Sequence, residues 1–345
     1  MIKIVKKQAL KSLKHCGLFS LVKNSKWRRQ RLLILAYHGI SLEDEHQYDP
    51  ELFMHPDYFR SRLQLLKKHG CAVLPLGEAV RRLYVDDLPQ NCVAITFDDG
   101  FYDFYKCAYP VIDEFKFPVT LYLTTYHVYH NRPVFNVICP YILWKGQQMT
   151  LDLKKVTGQE GRVDLSTSGA RLDVVTKIAH FVEQNKLSSE EKDGIAANLA
   201  KQLKIDYDAL LAKRIMNLLT PQEVQQLASK GVDIQLHTHR HRTPLDHGLF
   251  RREVEDNWNS IRSMTGLSAL HFCYPSGEYD LGFLPWLEEM GIASATTCDP
   301  GLASTSDHHL LLPRFIDTSL QSPIEFEAWL SGITAFLPSR YKNNN

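Results

Sequence analysis

Short apolar segments alternate with segments of helical periodicity along most of this chain. Residues 93–97 are apolar, residues 103–115 have a helical pattern, and residues 118–123 are apolar again. Parallel strands need a crossover connection of about a dozen residues, which is usually a helix. The alternation therefore predicts βαβ units and a parallel sheet.

The alternation covers two stretches of the chain. Strands are predicted at residues 31–40, 71–74, 93–97, 118–123, 232–236, 269–274, 293–297 and 310–316, and helices at 56–69, 77–84, 103–115, 220–231, 248–264 and 281–290. A length of 345 residues suits one large α/β domain with an insertion, or two small domains. A single barrel of about 250 residues with additional segments would also fit.

The pattern changes between these two stretches. Residues 126–214 are polar and mainly helical in pattern, with a small hairpin predicted at residues 149–165. We interpret this segment as an insertion on the domain. Its first residues, 131–144, are rich in aromatic and apolar groups, which either form a lid or wall for a substrate or pack the insertion's own apolar face.

The start of the chain is strongly basic. Residues 1–31 contain ten Lys and Arg and no acidic residue, whereas the rest of the chain has 30 basic and 39 acidic residues. The apolar residues of this arm recur at roughly helical spacing: Ile2, Val5, Ala9, Leu13, Leu18, Leu21 and Val22. We interpret residues 1–30 as a basic amphipathic arm that either lies on an anionic membrane surface or packs as a solvated helix on its own domain.

The sequence contains no pattern of a membrane span or a signal peptide and no paired cysteines, and this predicts where in the cell the protein is found. No stretch has the roughly 18 apolar residues that a membrane span needs, and residues 17–22 are too few for the core of a signal peptide. The seven cysteines form no Cys-x-x-Cys pair, which is typical of free thiols in a reducing compartment. We therefore expect a cytoplasmic protein, peripheral on the inner membrane face if the arm binds lipid.

Three predicted strands end in residues that carry chemistry. Asp98 and Asp99 follow one strand, three histidines follow the strand at 232–236, and His38 ends the strand at 31–40. The histidines are His237, His239 and His241. In a parallel α/β barrel the carboxyl ends of the strands share one face, so these distant residues are expected to converge.

Two imidazoles and one carboxylate are a typical ligand set for a divalent cation such as Zn²⁺, with one position left for water. A cation lowers the pKa of that water to about 7, and a second carboxylate can then accept the proton. Adjacent aspartates alone also occur in turns and at helix N-caps, and a His-rich turn can simply be solvated. The two motifs at the ends of parallel strands are much stronger together.

These motifs resemble those of the polysaccharide deacetylases of the NodB-homology group, carbohydrate esterase family 4. The similar segments are TFDDG at 96–100, HTHRH at 237–241, FCYPSGEYD at 272–280, YHGI at 37–40 and LPRF at 312–315. The early Tyr-His element and the closing strand resemble the subset with a circularly permuted motif order. The resemblance covers residues 31–125 and 215–320. It implies a distorted, incomplete (β/α) barrel of about seven parallel strands with a largely helical insertion.

The resemblance also implies roles for single residues. Asp98 would be the general base and His38 the general acid. The metal ligands would be Asp99, His237 and His241, and the oxyanion would be held near Tyr274, Pro275 and Gly277. Thr238 would support the loop by hydrogen bonding, and His239 would either lie behind the metal ligands or face solvent. The cofactor would be a divalent metal cation, Zn²⁺ in the first place, with other divalent metals as alternatives.

One position departs from the family pattern. Cys273 stands where many members have an arginine that contacts the catalytic base, and the family's Asp-Trp element has no clear counterpart. Arg314 on the last strand is our candidate for the missing cation, and a surface ion pair is the alternative. His308 and His309 are rival general acids, but a loop before the final strand is a poorer place to fix an imidazole.

We therefore predict a hydrolase of non-peptide carbon–nitrogen bonds that removes acetate from N-acetylated amino sugars. Its substrate would be a bacterial-type polysaccharide, an oligosaccharide or a lipid-linked glycan, and we expect no nucleic-acid partner. The alternatives are a glycan-binding homologue without turnover and an amidohydrolase that acts on a non-sugar amide. The predicted division is an arm at 1–30, the barrel at 31–125 and 215–320, the insertion at 126–214, and a C-terminal helix and tail at 321–345.

Overall fold

A computed structural model gives the structure of residues 2–337. The predicted tail at residues 342–345 lies outside these residues. The strands are β1 (Leu33–Tyr37), β2 (Gly39–Ile40), β3 (Phe53–Met54), β4 (Ala72–Val73), β5 (Cys92–Phe97), β6 (Thr120–Leu123), β7 (Thr150–Asp152), β8 (Arg162–Asp164), β9 (Asp233–Leu236), β10 (His271–Cys273), β11 (Ser294–Pro300) and β12 (Leu312–Ile316).

Seven parallel strands form a closed ring. Their order is β1, β12, β11, β10, β9, β6 and β5, and the ring closes because β5 pairs with β1 over five residue pairs. β4 pairs with the beginning of β5, outside the ring. All residues of β1 and β5 are buried, which explains why these strands appear in the sequence as continuous apolar runs rather than alternating ones. The predicted α/β barrel of about seven parallel strands is confirmed.

Helices surround the ring and form the insertion. They are α1 (Ile2–His15), α2 (Leu18–Lys23), α3 (Lys26–Arg29), α4 (Glu45–Tyr48), α5 (Pro56–Lys68), α6 (Leu76–Tyr84), α7 (Tyr109–Phe115), α8 (Phe135–Lys145), α9 (Lys154–Thr157), α10 (Ser168–Gln184), α11 (Ser189–Gln202), α12 (Tyr207–Ala212), α13 (Pro221–Ser229), α14 (His247–Thr265), α15 (Phe283–Glu289) and α16 (Pro323–Ser331). A π-helical segment, Phe104–Ala108, precedes α7.

Local sequence explains where these helices begin. The hydroxyl of Thr220 accepts from the peptide N–H of Glu223, and the Glu223 carboxylate accepts from the Thr220 N–H at 2.8 Å. This capping box, with Pro221 in the first turn, fixes the start of α13 and thereby the approach to β9.

The turn after β5 requires a glycine. Gly100 has φ +87°, and a Cβ at this position would lie 2.3 Å from Cδ1 of Leu123. Asp99 also lies in the left-handed region, at φ +71°, which aspartate tolerates better than most residues. The sequence Asp-Asp-Gly therefore lets β5 end abruptly, so that both carboxylates stay at the rim of the barrel.

The insertion packs mainly on itself. β7 and β8 form an antiparallel pair within the segment where the sequence predicts a hairpin. Ile138 and Ile142 on α8 are buried together with Leu199 on α11. The chain then returns to the barrel rim, where Asn217 O accepts from the N–H of Tyr102 at 2.8 Å. The buried apolar residues of α8 thus pack within the insertion and belong to an apolar core that is continuous with that of the barrel.

The basic N-terminal arm lies against α16. Leu10 and Phe19 are buried in a small cluster with Ala328, and Nζ of Lys14 lies 2.6 Å from the Glu327 carboxylate. None of the helices within residues 2–337 combines the length and the apolar character needed to cross a bilayer.

Candidate active site

The three predicted metal ligands meet at the carboxyl end of the barrel. Oδ1 of Asp99, after β5, lies 3.3 Å from Nε2 of His237 and 3.2 Å from Nε2 of His241, both of which follow β9. The ligand atoms of these residues all lie within 4.8 Å of one another. Residues that are 138 or more positions apart in the sequence are brought together because the ring places β5 and β9 on either side of β6.

The orientation of His237 is fixed from behind. Its Nδ1 lies 2.9 Å from the carbonyl oxygen of Cys273, and because a carbonyl can only accept, Nδ1 carries the proton and donates. In the neutral ring Nε2 is then a lone-pair donor to a metal. The ring is buried, whereas the His241 side chain at the rim is 37% exposed.

The site attracts a positive charge. Burial opposes ionisation of Asp99, but the two imidazoles outweigh it and hold its pKa well below the ordinary value. Burial also opposes protonation of His237, yet the nearby carboxylates raise its pKa. Oδ1 of Asp99 is buried and has no hydrogen-bond partner among the described residues, although two imidazole nitrogens face it. Three lone-pair-bearing atoms in this arrangement fit a bound cation.

The loop that carries the histidines is held in a strained conformation. Thr238 and His241 have φ values of +59° and +53°, a region that side-chain-bearing residues enter at a cost. The hydroxyl of Thr238 accepts from the N–H of Arg242 at 3.0 Å across the loop. His239 lies outside the metal-ligand group, and its Nδ1 is 2.8 Å from the hydroxyl of Thr125.

Asp98 points at a buried arginine. Nη1 and Nη2 of Arg314 lie 2.8 and 2.7 Å from Oδ1 and Oδ2 of Asp98, a bidentate pair in which both side chains are at most 2% exposed. Nε of Arg314 donates to the carbonyl of Thr297 at 2.9 Å. Burial by itself would raise the pKa of Asp98, but the charge and hydrogen bonds of Arg314 outweigh burial and lower it. Asp98 is therefore ionised in the resting protein.

Cys273 occupies the space beside this pair. Its Sγ lies 3.0 Å from Nη2 of Arg314 and 3.6 Å from Oδ2 of Asp98. Burial raises the pKa of the Cys273 thiol well above its ordinary value, so the sulfur stays neutral. The cation next to Asp98 comes from β12, and the surface ion pair considered for Arg314 is excluded by its complete burial.

His38 faces the same carboxylate. Its Nε2 lies 3.8 Å from Oδ2 of Asp98, and its side chain is 20% exposed at the rim. The rival histidines His308 and His309 stack on each other before the beginning of β12, at the opposite end of the barrel. They are therefore too far from the aspartates to act as the acid.

The peptide N–H groups of the predicted oxyanion residues make hydrogen bonds within the fold, and their role stays a prediction. The peptide N–H of Tyr274 donates to Thr296 O at 3.2 Å in the sheet, and the N–H of Gly277 donates to Tyr274 O at 3.0 Å. Pro275 has no N–H. The Tyr274 hydroxyl is also committed, since it donates to Leu310 O at 3.1 Å. None of the three predicted residues thus offers a free peptide donor in this structure, because the N–H of Tyr274 continues the pairing of β10 with β11.

Sequence reasoning missed three buried polar residues around the site. Oδ1 of Asp103 accepts from the N–H of Ile40, two residues after His38. Glu253 and Asn257 on α14 contact the loop that carries the metal-ligating histidines. A polar side chain on the apolar face of a predicted helix is the signal that could have indicated the last two.

The family profile described as Polysaccharide deacetylase matches residues 86–295, which is more than half of the chain. The chain belongs to the polysaccharide deacetylase family. Its members are hydrolases that act on carbon–nitrogen bonds in polysaccharides, and the match confirms the resemblance seen in the motifs.

The chain is similar in sequence to a curated deacetylase. In sequence, the poly-β-1,6-N-acetyl-D-glucosamine N-deacetylase of Staphylococcus epidermidis is 29% identical over 143 residues, which cover 38% of this chain and 49% of that protein. The chain thus spans about half the length of this curated relative.

Two solved structures are similar to this chain in fold. The Streptococcus pyogenes deacetylase PplD in complex with acetate has a TM-score of 0.55 at 20% identity, covering 86% of this chain and 96% of that chain. IcaB from Ammonifex degensii has a TM-score of 0.54 at 17% identity, covering 87% and 97%. Both comparisons support the barrel architecture.

Proposed function

We propose that this protein is a metal-dependent N-deacetylase that hydrolyses the acetamide of N-acetylated amino sugars in a glycan and releases acetate. The observation that carries the proposal is one arrangement at the barrel rim. Asp99, His237 and His241 converge at 3.2–3.3 Å, while Asp98, beside them, is held ionised by Arg314 and faces His38. A ligand set, a base and an acid thus lie side by side.

The metal site suits Zn²⁺ because a set of two imidazoles and one carboxylate at the barrel rim leaves a coordination position open. Asp99, His237 and His241 would hold the ion. When bound, a divalent cation supplies a Lewis acid that acidifies water and favours negative charge on a carbonyl oxygen. Other divalent metals stay as alternatives, since imidazole and carboxylate ligands also accept them.

Asp98 accepts the proton of the attacking water in this proposal. Its two oxygens are oriented by Arg314, so the carboxylate does not rotate when it gains the proton. Water forms the new bond to the acetamide carbon, and the carbon–nitrogen bond breaks in the following step. His38 then donates a proton to the departing nitrogen, so that acetate and a free amine leave.

The substrate class is argued from the relatives. The curated relative in Staphylococcus epidermidis acts on poly-β-1,6-N-acetyl-D-glucosamine by its name, so a β-1,6-linked oligomer of N-acetylglucosamine is the first substrate to test. Chitooligosaccharides, which carry the same acetamide on a different linkage, are the matched comparison.

Acetate release tests the proposal. The wild-type protein loaded with Zn²⁺ is expected to release acetate from one of these oligomers, and chelation is expected to stop the reaction. Asp98→Asn is expected to bind zinc as the wild type does but to lose nearly all turnover. Zinc and glycan binding without acetate from any N-acetylated glycan would establish a non-catalytic homologue instead, and wild-type activity in Asp98→Asn would remove Asp98 as the base.

We further propose that the N-terminal arm contacts an anionic membrane surface. The support is the charge of residues 1–31 and the exposure of apolar side chains in α1 and α2, 63% for Val5 and 69% for Leu21. Lys7 and Lys11 line a groove between α1 and the beginning of α16. A cytoplasmic position on the inner membrane face stays a prediction of the sequence.

A further inference from the structure

We propose that Glu253 and Asn257 on α14 are positioning residues that hold the metal-ligand loop, residues 237–242, in its binding conformation before the metal arrives. The proposal rests on the proposed metal site. The two side chains are four positions apart on one face of a 19-residue helix, and they are 1% and 0% exposed. Neither touches the three ligand atoms, so any effect on the metal acts through the loop.

Asn257 joins the ends of two strands. Its Oδ1 accepts from the N–H of His237 at 2.9 Å, and its Nδ2 donates to Leu123 O at 2.9 Å and to the hydroxyl of Thr125 at 3.0 Å. The β6–β9 ladder ends at the pair Leu123 and Leu236. Asn257 therefore continues the pairing by one residue, where the first histidine ligand leaves the sheet.

The Asn257 contact extends to His239. Because the Thr125 hydroxyl accepts from Asn257, its own proton is free to donate to Nδ1 of His239 at 2.8 Å. The carbonyl of His239 in turn accepts from the N–H of Tyr126 at 2.8 Å. His239 is thus turned toward β6, which leaves His237 and His241 to face Asp99.

Glu253 holds the other half of the loop. Its carboxylate accepts from the N–H of Arg240 at 2.8 Å, from Nη1 of Arg240 at 3.1 Å and from Nε of Arg242 at 2.8 Å. Its own carbonyl accepts from the N–H of His239 at 3.0 Å. The peptide N–H groups on both sides of the positive-φ residue Thr238 are therefore fixed by one helix.

This arrangement explains how a strained loop persists. Thr238 and His241 adopt left-handed backbone conformations that a free loop would leave. The buried hydrogen bonds to α14 hold them, and the two imidazole Nε2 atoms are aimed at Asp99 without rearrangement. Residues behind metal ligands typically contribute 10- to 100-fold to metal affinity. We expect a loss of about this size when the hydrogen bonds of Asn257 or Glu253 are removed.

The test is zinc affinity, measured at fixed pH by competition with a chromogenic chelator. Asn257→Leu keeps the branching of the side chain but is larger, and it removes all three hydrogen bonds. It is expected to weaken zinc binding about 10- to 100-fold. Glu253→Gln keeps the shape of the side chain and removes its charge. Its zinc affinity is expected to lie between that of Asn257→Leu and that of the wild type. The absorption spectrum of bound Co²⁺, which reports ligand geometry, is expected to change in both.

Gln235→Leu is the matched control. Gln235 is also buried and polar, it lies on β9, and its Oε1 accepts from the N–H groups of Leu270 and His271 at 2.8 Å each, toward the other end of the barrel. We expect its replacement to lower the melting temperature and to leave zinc affinity and the Co²⁺ spectrum unchanged.

The outcomes separate the two proposals. If the wild-type protein binds no zinc, the metal site itself is wrong. If the wild type binds zinc and both α14 variants bind it equally well, or if Gln235→Leu weakens binding as much, the positioning role is wrong and the metal site stands. Should Asn257→Leu not fold, Glu253→Gln decides the question with the same two measurements.

Discussion

Arg314 reaches Asp98 from β12 and donates to both of its carboxylate oxygens, at 2.8 and 2.7 Å, although the two residues are 216 positions apart in the sequence. Both groups are buried, so neither can exchange its partner for water. A buried pair of this kind contributes little net stability compared with apolar residues, but removal of one partner leaves an uncompensated charge. The pair therefore fixes the state of Asp98 more than it stabilises the fold.

Replacement of Arg314 by Met is expected to destabilise the protein by about 3–5 kcal/mol at neutral pH, because Asp98 then stays buried without its cation. Deacetylation is expected to fall as well, since burial alone raises the pKa of Asp98. Chemical denaturation and acetate release measure the two effects. The double variant Asp98→Asn/Arg314→Met is expected to be less destabilised than the sum of the single variants, and a strictly additive result would contradict a direct coupling.

The same pair gives a pH dependence with a definite sign. The pKa of Asp98 in the folded state lies below the ordinary value of 3.8, so the stability from the pair is present above about pH 4. It is lost as the pH falls through the folded-state pKa. In Arg314→Met burial alone acts on Asp98 and raises its pKa. The stability difference between the wild type and Arg314→Met is therefore expected to shrink as the pH falls through this raised pKa towards the lowered pKa of the wild type, and a difference that grows on acidification would contradict this assignment.

A swap tests whether Arg314 substitutes for the arginine that many family members carry at the position of Cys273. Arg314→Ala is expected to lose activity, and Cys273→Arg/Arg314→Ala is expected to regain at least about tenfold, because Sγ of Cys273 already lies 3.6 Å from Asp98 Oδ2. A tenfold change corresponds to about 1.4 kcal/mol of transition-state stabilisation. Acetate release is the measurement, and Cys273→Ala/Arg314→Ala is the control. No gain over that control would mean that the two positions are not equivalent.

Most of the fold and the ligand set could be predicted from the sequence because the relevant signals are local. Buried parallel strands are continuous apolar runs, and Asp98, Asp99, His237 and His241 directly follow such runs. Each of these residues lies at the barrel rim. α5 begins at the predicted residue and ends one residue earlier, whereas α14 is one residue longer than predicted at each end. The caps His55 and Asp246 fix where the two helices begin.

The remaining parts of the site depend on contacts that no local pattern records. The N–H of Tyr274 is occupied because β11 continues beside it and Thr296 O accepts its hydrogen bond. This register depends on how β10 and β11 pair, and the sequence of residues 272–280 alone does not contain it. Closure of the ring by β1 and β5 likewise depends on the relative tilt of all seven strands. The position of Asn257 on the apolar face of a helix indicates a buried polar group, but its partners cannot be named until the strands beside it are placed.

His239 and His241 offer a matched pair for the metal site. His241→Ala removes a ligand and is expected to weaken zinc binding by at least about 100-fold, more than the loss of a residue behind a ligand. His239→Ala is expected to leave zinc binding within about threefold, because its ring is directed at Thr125. Chelator competition measures both affinities. The reverse ranking would show that the ligand assignment is shifted by two residues.

The role of His38 can be separated from that of the metal. His38→Gln is expected to lower deacetylation of a sugar acetamide about 10²- to 10⁴-fold, because the amine leaves poorly without a proton. Hydrolysis of 4-nitrophenyl acetate, whose phenolate leaves without protonation, is expected to fall less than about tenfold. Zinc content is expected to stay at the wild-type level, because His38 is outside the metal-ligand group. Equal losses on both substrates would contradict a role as general acid.

Membrane contact by the N-terminal arm is better tested by reversing the charge of its lysines than by deleting residues 1–30. Arg28 is completely buried, and its guanidinium donates to Leu330 O and Arg31 O, so removal of residues 1–30 would expose the barrel. Lys7→Glu/Lys11→Glu changes the charge of the groove beside α16 without touching the buried Leu10.

This double variant is expected to lose sedimentation with anionic liposomes, since each basic residue near such a surface contributes about 1 kcal/mol and reversal also adds repulsion. Lys106→Glu/Lys201→Glu, which changes the net charge equally at exposed positions away from the arm, is expected to retain binding. Sedimentation at increasing salt gives an independent reading, because binding through the arm is expected to weaken as the charges are screened. If both double variants lose liposome binding equally, the net charge of the protein explains the binding, and the proposed role of the arm is wrong.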